Sequence, residues 1–323
     1  MRNIPYAPGR RGATLQSRPS RETQMKQVIG TIAIVLACLT ARATAAELDG
    51  AKIDQLTGGK GTLNKDEGVY KVSFPRNDVK VTVDGTSMPP FMGLTSWAGF
   101  KSGEKVEAMV MGDIVLFQDE VNPAMSAALE SGLWVTALHN HFFYDQPKVY
   151  FMHIGGEGSL EQLAAGVKKV MDAVHAIRLR APQPGTGFTH EPFADKSAIT
   201  PAALDAALGA KGQAKDGMYK ATFGRTTKMP CDCIAGKEMG VNTWAAFYGT
   251  DDHALVDGDF AVQQGELQNV LKILRKNGIN IVAIHSHMEN ENPRIIFLHY
   301  WGVGPAAQLA QSVKEALDVT SKK

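Results

Sequence analysis

This 323-residue sequence predicts an α+β fold made twice: two homologous tandem repeats, each an antiparallel or mixed sheet with helices packed on one face. Three observations predict it. First, the chain matches itself. Met92-Gly93-Leu94-Thr95-Ser96-Trp97-Ala98-Gly99-Phe100 answers Met239-Gly240-Val241-Asn242-Thr243-Trp244-Ala245-Ala246-Phe247, and 68–76 (GVYKVSFPR) answers 217–225 (GMYKATFGR). Second, apolar residues alternate in some segments and recur every three to four residues in others, the marks of strands and of one-sided helices. Third, residues 179–197 hold Pro182, Pro184, Gly185, Gly187 and Pro192 and read as a linker, which leaves repeat 1 at 46–178 and repeat 2 at 198–323.

Each repeat opens with a short helix, 51–56 and then 201–208, followed by a strand at 69–74 and at 218–223. The segments around Trp97 and Trp244 read as strands, and another strand is expected over 110–117, with its twin near 260–263. A helix follows, with Val121, Met125, Ala128 and Leu129 on one face and Leu267, Val270, Leu271 and Leu274 on the face of its twin. Acids at Asp119, Glu120 and Glu266 suit its N-terminus, and Gly132 and Gly278 suit its end. Two β-rich segments, 133–141 and 149–154, flank a loop holding Pro147. A last helix carries Leu160, Leu163, Ala164, Val167, Val170, Met171 and Val174 on one stripe.

Residues 1–45 read as a leader and signal peptide outside the fold. A basic stretch precedes Met25-Lys26, an apolar run extends from Val28 to Leu39, and Ala43-Thr44-Ala45 forms a cleavage site. Met1 and Met25 both stand as candidate starts. Cys38, after Val35-Leu36-Ala37, is an alternative lipid-anchor position. The apolar run is short for a membrane span of about 20 residues. Removing this leader takes away seven basic residues and one acid, which turns the net charge from +1 to −5 over 278 residues. No electrostatic case for nucleic acid remains, and three cysteines are too few for a disulfide scaffold. The expected location is exported: periplasmic, cell-surface or secreted.

The chemical signal lies in the histidines. His139-x-His141 is followed by His153, and His285-x-His287 by His299, so six of nine histidines fall into two equally spaced triplets. Between 132–155 and 278–301 all three histidines are identical, together with Gly132/Gly278, Ala137/Ala283, Pro147/Pro293 and Phe151/Phe297. Residues i and i+2 of a strand share a face. With the hairpin centred on Gln146, His139 lies opposite His153 and all three rings share that face; a centre half a residue away turns His153 to the other side. Three imidazoles with an open position are the donor set of a catalytic zinc site, and imidazole also suits copper. The competing readings are hydrogen-bonded sheet histidines and a metal-free polar or pH-responsive site.

Other residues carry less. Glu120 and Glu266 are matched carboxylates, candidates for a fourth ligand or a general base, and otherwise helix-start acids. Asp113 and Asp259 each follow a glycine and read as turn residues. Cys231-x-Cys233 is a secondary candidate for a soft metal such as copper. Gly155-Gly156-Glu157-Gly158 precedes a helix in the manner of an anion cradle without matching a phosphate-loop pattern.

The blocks ALHNHFFYDQPKVYFMHIGGEGSLEQLA and AIHSHMENENPRIIFLHYWGVGPAAQLA resemble the LppY/LpqO-like family, an exported bacterial domain of unknown function. The resemblance runs through both copies and implies export, and it supplies no activity. The functional expectation is an exported protein that binds zinc or copper through its His triads, for metal handling or for metal-dependent chemistry such as hydrolysis. The alternative is a metal-free small-molecule-binding or structural envelope module, with Trp97 and Trp244 lining a groove.

Overall fold

The computed structural model describes residues 48–320. The expected leader, the two candidate starts and Cys38 lie outside them. Repeat 1 runs α1 (Gly50–Thr57), β1 (Gly61–Asn64), β2 (Val69–Pro75), β3 (Val81–Val83), β4 (Thr86–Met88), β5 (Thr95–Ser102), β6 (Ala108–Phe117), α2 (Gln118–Glu130), β7 (Trp134–His139), β8 (Asp145–Gln146), β9 (Val149–Gly158) and α3 (Leu160–Arg180). Repeat 2 runs α4 (Pro201–Leu208), β10 (Gln213–Lys215), β11 (Met218–Gly224), β12 (Thr227–Lys228), β13 (Ile234–Ala235), β14 (Asn242–Gly249), β15 (Ala254–Gln263), α5 (Leu267–Lys276), β16 (Asn280–His285), β17 (Ile295–Gly304) and α6 (Ala306–Asp318). Among the described residues no helix is long and apolar enough to cross a membrane.

The α+β reading holds, and the repeats share one sheet. Twelve strands pair antiparallel in the order β1-β2-β5-β6-β9-β7-β16-β17-β15-β14-β11-β10. The halves meet where β7 and β16 pair, Leu138 opposite Ile284. One face of every central strand is apolar and lies against the helices. Val72, Ala98, Phe100, Ile114, Leu138, Met152 and Ile154 join Val121, Met125, Leu163 and Val167 in a core continuous with that of repeat 2. A strand presents alternate residues to opposite faces, so the neighbours of those core residues (Trp97, Asp113, His139 and His153) lie on the face away from the helices.

Small flaps cover parts of that second face. In repeat 1, β3 pairs with β4 and with β8, and Val81 packs with Val115, Phe117, Val149 and Phe151. In repeat 2, β12 and β13 pair, and Ala235 packs with Ala261, Ile295 and Phe297.

Several local expectations shift. Gly132 and Gly278 end their helices at φ +81° and +75°, as expected. The strand expected over 133–141 ends at His139, while β9 runs on through Gly158. The glycines 155, 156 and 158 are therefore strand residues and not an anion cradle. Gly156 sits close under Leu163 and Leu133, so its absent side chain serves strand–helix packing. Helix α3 continues to Arg180, which shortens the linker at its start.

Candidate functional site

The hairpin register decides which histidines share a face. His139 stands opposite Phe151, and His153 stands opposite Ala137. The hairpin thus centres on Asp145 rather than Gln146. A displacement by one whole residue at the centre moves each partner by two, which preserves the face. His139 and His153 are diagonal neighbours instead of direct ones, with ring centroids 5.1 Å apart. Repeat 2 repeats this: Ala283 faces His299, His285 faces Phe297, and the His285 and His299 rings are 5.0 Å apart.

His141 and His287 lie just beyond their strands, so strand alternation does not place them. A phenylalanine does. The His141 ring stacks on Phe151 at 3.3 Å between centroids and the His287 ring on Phe297 at 3.5 Å. This explains why that phenylalanine is identical in both copies. His141 thereby comes within 5.2 Å of His139, and His287 within 4.9 Å of His285. In repeat 2 the two Nε2 atoms are 3.0 Å apart.

The strand on the far side adds an aspartate to each cluster. Asp113 lies directly opposite His153, and Asp259 directly opposite His299. Asp259 Oδ2 is 3.9 Å from His287 Nε2. Reading Asp113 and Asp259 as turn residues was therefore wrong; both sit in mid-strand. The glycine before each, which suggested a turn, is there because the backbone is crowded. A side chain on Gly112 would strike the Trp97 carbonyl, and one on Gly258 the ring of Tyr300.

The electrostatics favour neutral imidazoles. Burial, followed by the neighbouring rings His139 and His153, pushes the His141 pKa below its ordinary value, with Asp113 pulling the other way. Burial, then the His299 and His287 charges, does the same to His285, and burial with His299 to His287. Burial pushes Asp259 up to about 6, against the pull of His299. Asp113 Oδ1, Asp259 Oδ1 and His285 Nδ1 are buried without a hydrogen-bond partner in the protein, a costly state for polar atoms.

As donor sets, three imidazoles and one carboxylate suit zinc or copper. The rings stand side by side and do not yet converge: among the described residues no three His, Cys, Asp or Glu side chains form a preassembled ligand cage. Tetrahedral zinc with bonds of about 2.0–2.1 Å needs donors about 3.3 Å apart, and the 3.0 Å between His285 Nε2 and His287 Nε2 is already near that spacing.

The other candidates fall elsewhere. Glu120 is fully buried, with both oxygens accepting hydrogen bonds from Arg76 at 2.7 and 2.9 Å and one accepting from the Phe117 N–H. Glu266 is likewise bound to Arg225 and to the Gln263 N–H. Both glutamates anchor a helix start to a buried arginine, which corrects their candidacy as base or ligand. Cys231 and Cys233 are disulfide-bonded to each other, which withdraws both thiolates from soft-metal ligation. Trp97 and Trp244 lie directly opposite Asp113 and Asp259, with Lys71 Nζ 4.2 Å and Lys220 Nζ 4.1 Å from their ring centroids.

Comparison with known proteins adds a family. No curated protein matches the chain. The crystal structure of a trimeric bacterial microcompartment shell protein, PduB, is similar at 10% identity over 80% of this chain and 89% of that one; its TM-score of 0.21 is too low to bear on fold or role. Residues 51–173 and 202–319 each match the family described as Domain of Unknown Function (DUF1259). Those two stretches take in both His clusters and most of the sheet, and the chain belongs to that family, carrying its domain twice.

Proposed function

We propose that this protein is an exported metal-binding member of its family, of LppY/LpqO-like type, with one zinc or copper centre per repeat. The ligands in repeat 1 are His139, His141 and His153 with Asp113, and in repeat 2 His285, His287 and His299 with Asp259. The observation that carries the reading is duplication. The same three imidazoles, the same aspartate and the same supporting phenylalanine recur on one sheet face in both halves, with carboxylate oxygens buried and unpartnered.

Metal handling is favoured over hydrolysis. A bound zinc ion supplies Lewis acidity, yet Glu120 and Glu266, the acids once available as a general base, are held by arginines. The test is the metal content of untagged protein by mass spectrometry. Two ions per chain are expected, falling to one when His139 and His141 become alanine and to none when His285 and His287 follow. Absence of metal, with no thermal shift on adding zinc or copper, overturns the reading.

One observation favours a second reading. The Trp97–Lys71 and Trp244–Lys220 pairs border each cluster on the same open face, as the walls of a metal-free small-molecule groove would. Ligand binding that survives complete metal removal and is lost in Trp97→Ala selects it.

A further inference from the structure

The helical side of the molecule holds a second feature, independent of the histidines. Where α2 meets α5, a cleft of about 530 Å³ is lined by Ser126, Leu129, Glu130, Lys272, Arg275 and Lys276. These are three pairs of repeat-related positions at the constant offset of 146: Ser126 with Lys272, Leu129 with Arg275, Glu130 with Lys276. The cleft therefore lies at the junction of the two repeats, with matching helix positions on both walls. The chemistry is not matched. The α5 wall carries three cations, and the α2 wall a hydroxyl, a leucine and a single acid.

Arg275 is the unusual member. Four arginines among the described residues are buried or half-buried: Arg76, Arg178, Arg225 and Arg275. The first three pair with glutamates, Arg76 and Arg178 with Glu120, and Arg225 with Glu266. Arg275 makes no such pair. Its Nε donates to Ser126 Oγ at 3.2 Å, and its Nη1 to the Ile279 carbonyl at 2.7 Å and Asn280 Oδ1 at 3.0 Å; all three acceptors are neutral. Burial, with no carboxylate to offset it, pushes its pKa down to about 10. A half-buried guanidinium with no carboxylate partner keeps its charge available to an anionic ligand. Lys272 and Lys276, exposed on the same wall, add two further cations.

We infer that this cleft binds a phosphate group, with Arg275 as its central donor and Lys272, Lys276 and Ser126 around it. Nη2 is the guanidinium nitrogen left without an acceptor, and its two N–H groups can donate to phosphate oxygens while the ammonium groups supply point charge beside it. The cleft is larger than a phosphate ion, which leaves room for the organic part of a phosphomonoester.

The test is calorimetric titration of the full-length protein, stripped of metal by chelator and then dialysed so that the His clusters hold no ion. Inorganic phosphate and glycerol 3-phosphate are the two probes. Saturable binding of phosphate is expected in the wild type, at least tenfold weaker in Arg275→Met and several-fold weaker in Lys272→Gln. Tighter binding of glycerol 3-phosphate identifies an ester as the ligand, and equal binding identifies the free ion. Equal binding by wild type and both variants, or no binding of either probe, overturns the inference. None of these outcomes depends on the metal reading.

Discussion

At the scale of single residues, each cluster holds at least one imidazole pushed toward its neutral form and a buried carboxylate oxygen without a hydrogen-bond partner. Burial and neighbouring imidazoles keep His141, His285 and His287 neutral, and neutral imidazole is the form that ligates metal. Asp259→Asn keeps the shape and removes the charge. It is expected to weaken zinc at the second centre about tenfold or more, read by competition with a chromogenic chelator; unchanged affinity makes Asp259 a bystander. Glu120 gives the opposite case. It is fully buried between Arg76 and Arg178, which also pair with Asp78 and Asp119, so Glu120→Gln weakens but does not strand the two cations and is expected to cost about 1–3 kcal/mol in urea unfolding, with metal stoichiometry unchanged. Loss of metal without loss of stability would return Glu120 to the ligand set. The histidines were legible in sequence because their spacing repeats. Asp113 was not, because Gly112 before it signals a turn as readily as a crowded strand. Only the parity of the strand from Ala108 to Phe117 with the His hairpin pointed the other way.

Among the elements, the duplicated helix starts and strand ends are tied down by the same bonds in each copy. Asp54 accepts from the Gly61 N–H at 2.8 Å and from the Tyr70 hydroxyl at 2.9 Å; Asp205 accepts from the Gly212 N–H at 2.9 Å and from the Tyr219 hydroxyl at 2.7 Å. Each clamp fastens the first helix of its repeat to the edge of the sheet. The Gly212 and Tyr219 bonds hold the Asp205 carboxyl below its usual range. Its folded pKa lies below its unfolded value of about 3.9, so its contribution to stability is fully present above about pH 4 and is lost as the pH falls through the folded pKa. Asp205→Asn is therefore expected to flatten the acid limb of the stability profile below pH 4 while leaving its slope near neutrality unchanged, as measured by urea midpoints across pH. Tyr219→Phe, which removes one of the two donors, is expected to cost about 1 kcal/mol. Helices and strands were legible because apolar periodicity marks them directly. The ends of β7 and the flap strands β3, β8, β12 and β13 were not. Short strands carry too few residues for an alternation to register, and their place is set by side chains packing on Val115, Phe151 or Phe297.

For the molecule as a whole, the governing feature is the seam between repeats. Strands β7 and β16 pair at Leu138 and Ile284, and on either side a bulge breaks the regular ladder, between Val135 and Ala137 and between Ile281 and Ala283. Helix amides from the opposite repeat take over there. Asn122 accepts from the Ile281 N–H at 2.8 Å and donates to its carbonyl at 3.2 Å; Gln268 accepts from the Val135 N–H at 3.0 Å and donates to its carbonyl at 2.8 Å. The same two positions, 146 residues apart, bind the same two backbone sites, as across a two-fold dimer interface. The seam was invisible in the sequence because a backbone bracketed by an amide asks nothing of the bracketed side chain, and a Pro/Gly-rich linker is compatible with separate sheets or a shared one. Its consequence is cooperativity. One core runs from Ile53 to Ala316 beneath one sheet, so neither half can unfold without exposing the other's buried strand. A single calorimetric transition is expected, with van't Hoff and calorimetric enthalpies equal. Two resolved transitions would show that the halves are energetically independent. Asn122→Leu with Gln268→Leu leaves buried backbone groups unpaired at about 1–3 kcal/mol each. This double variant is expected to lower the melting temperature and split the transition, because it removes the amide brackets that tie each repeat's helix to the other repeat's strand.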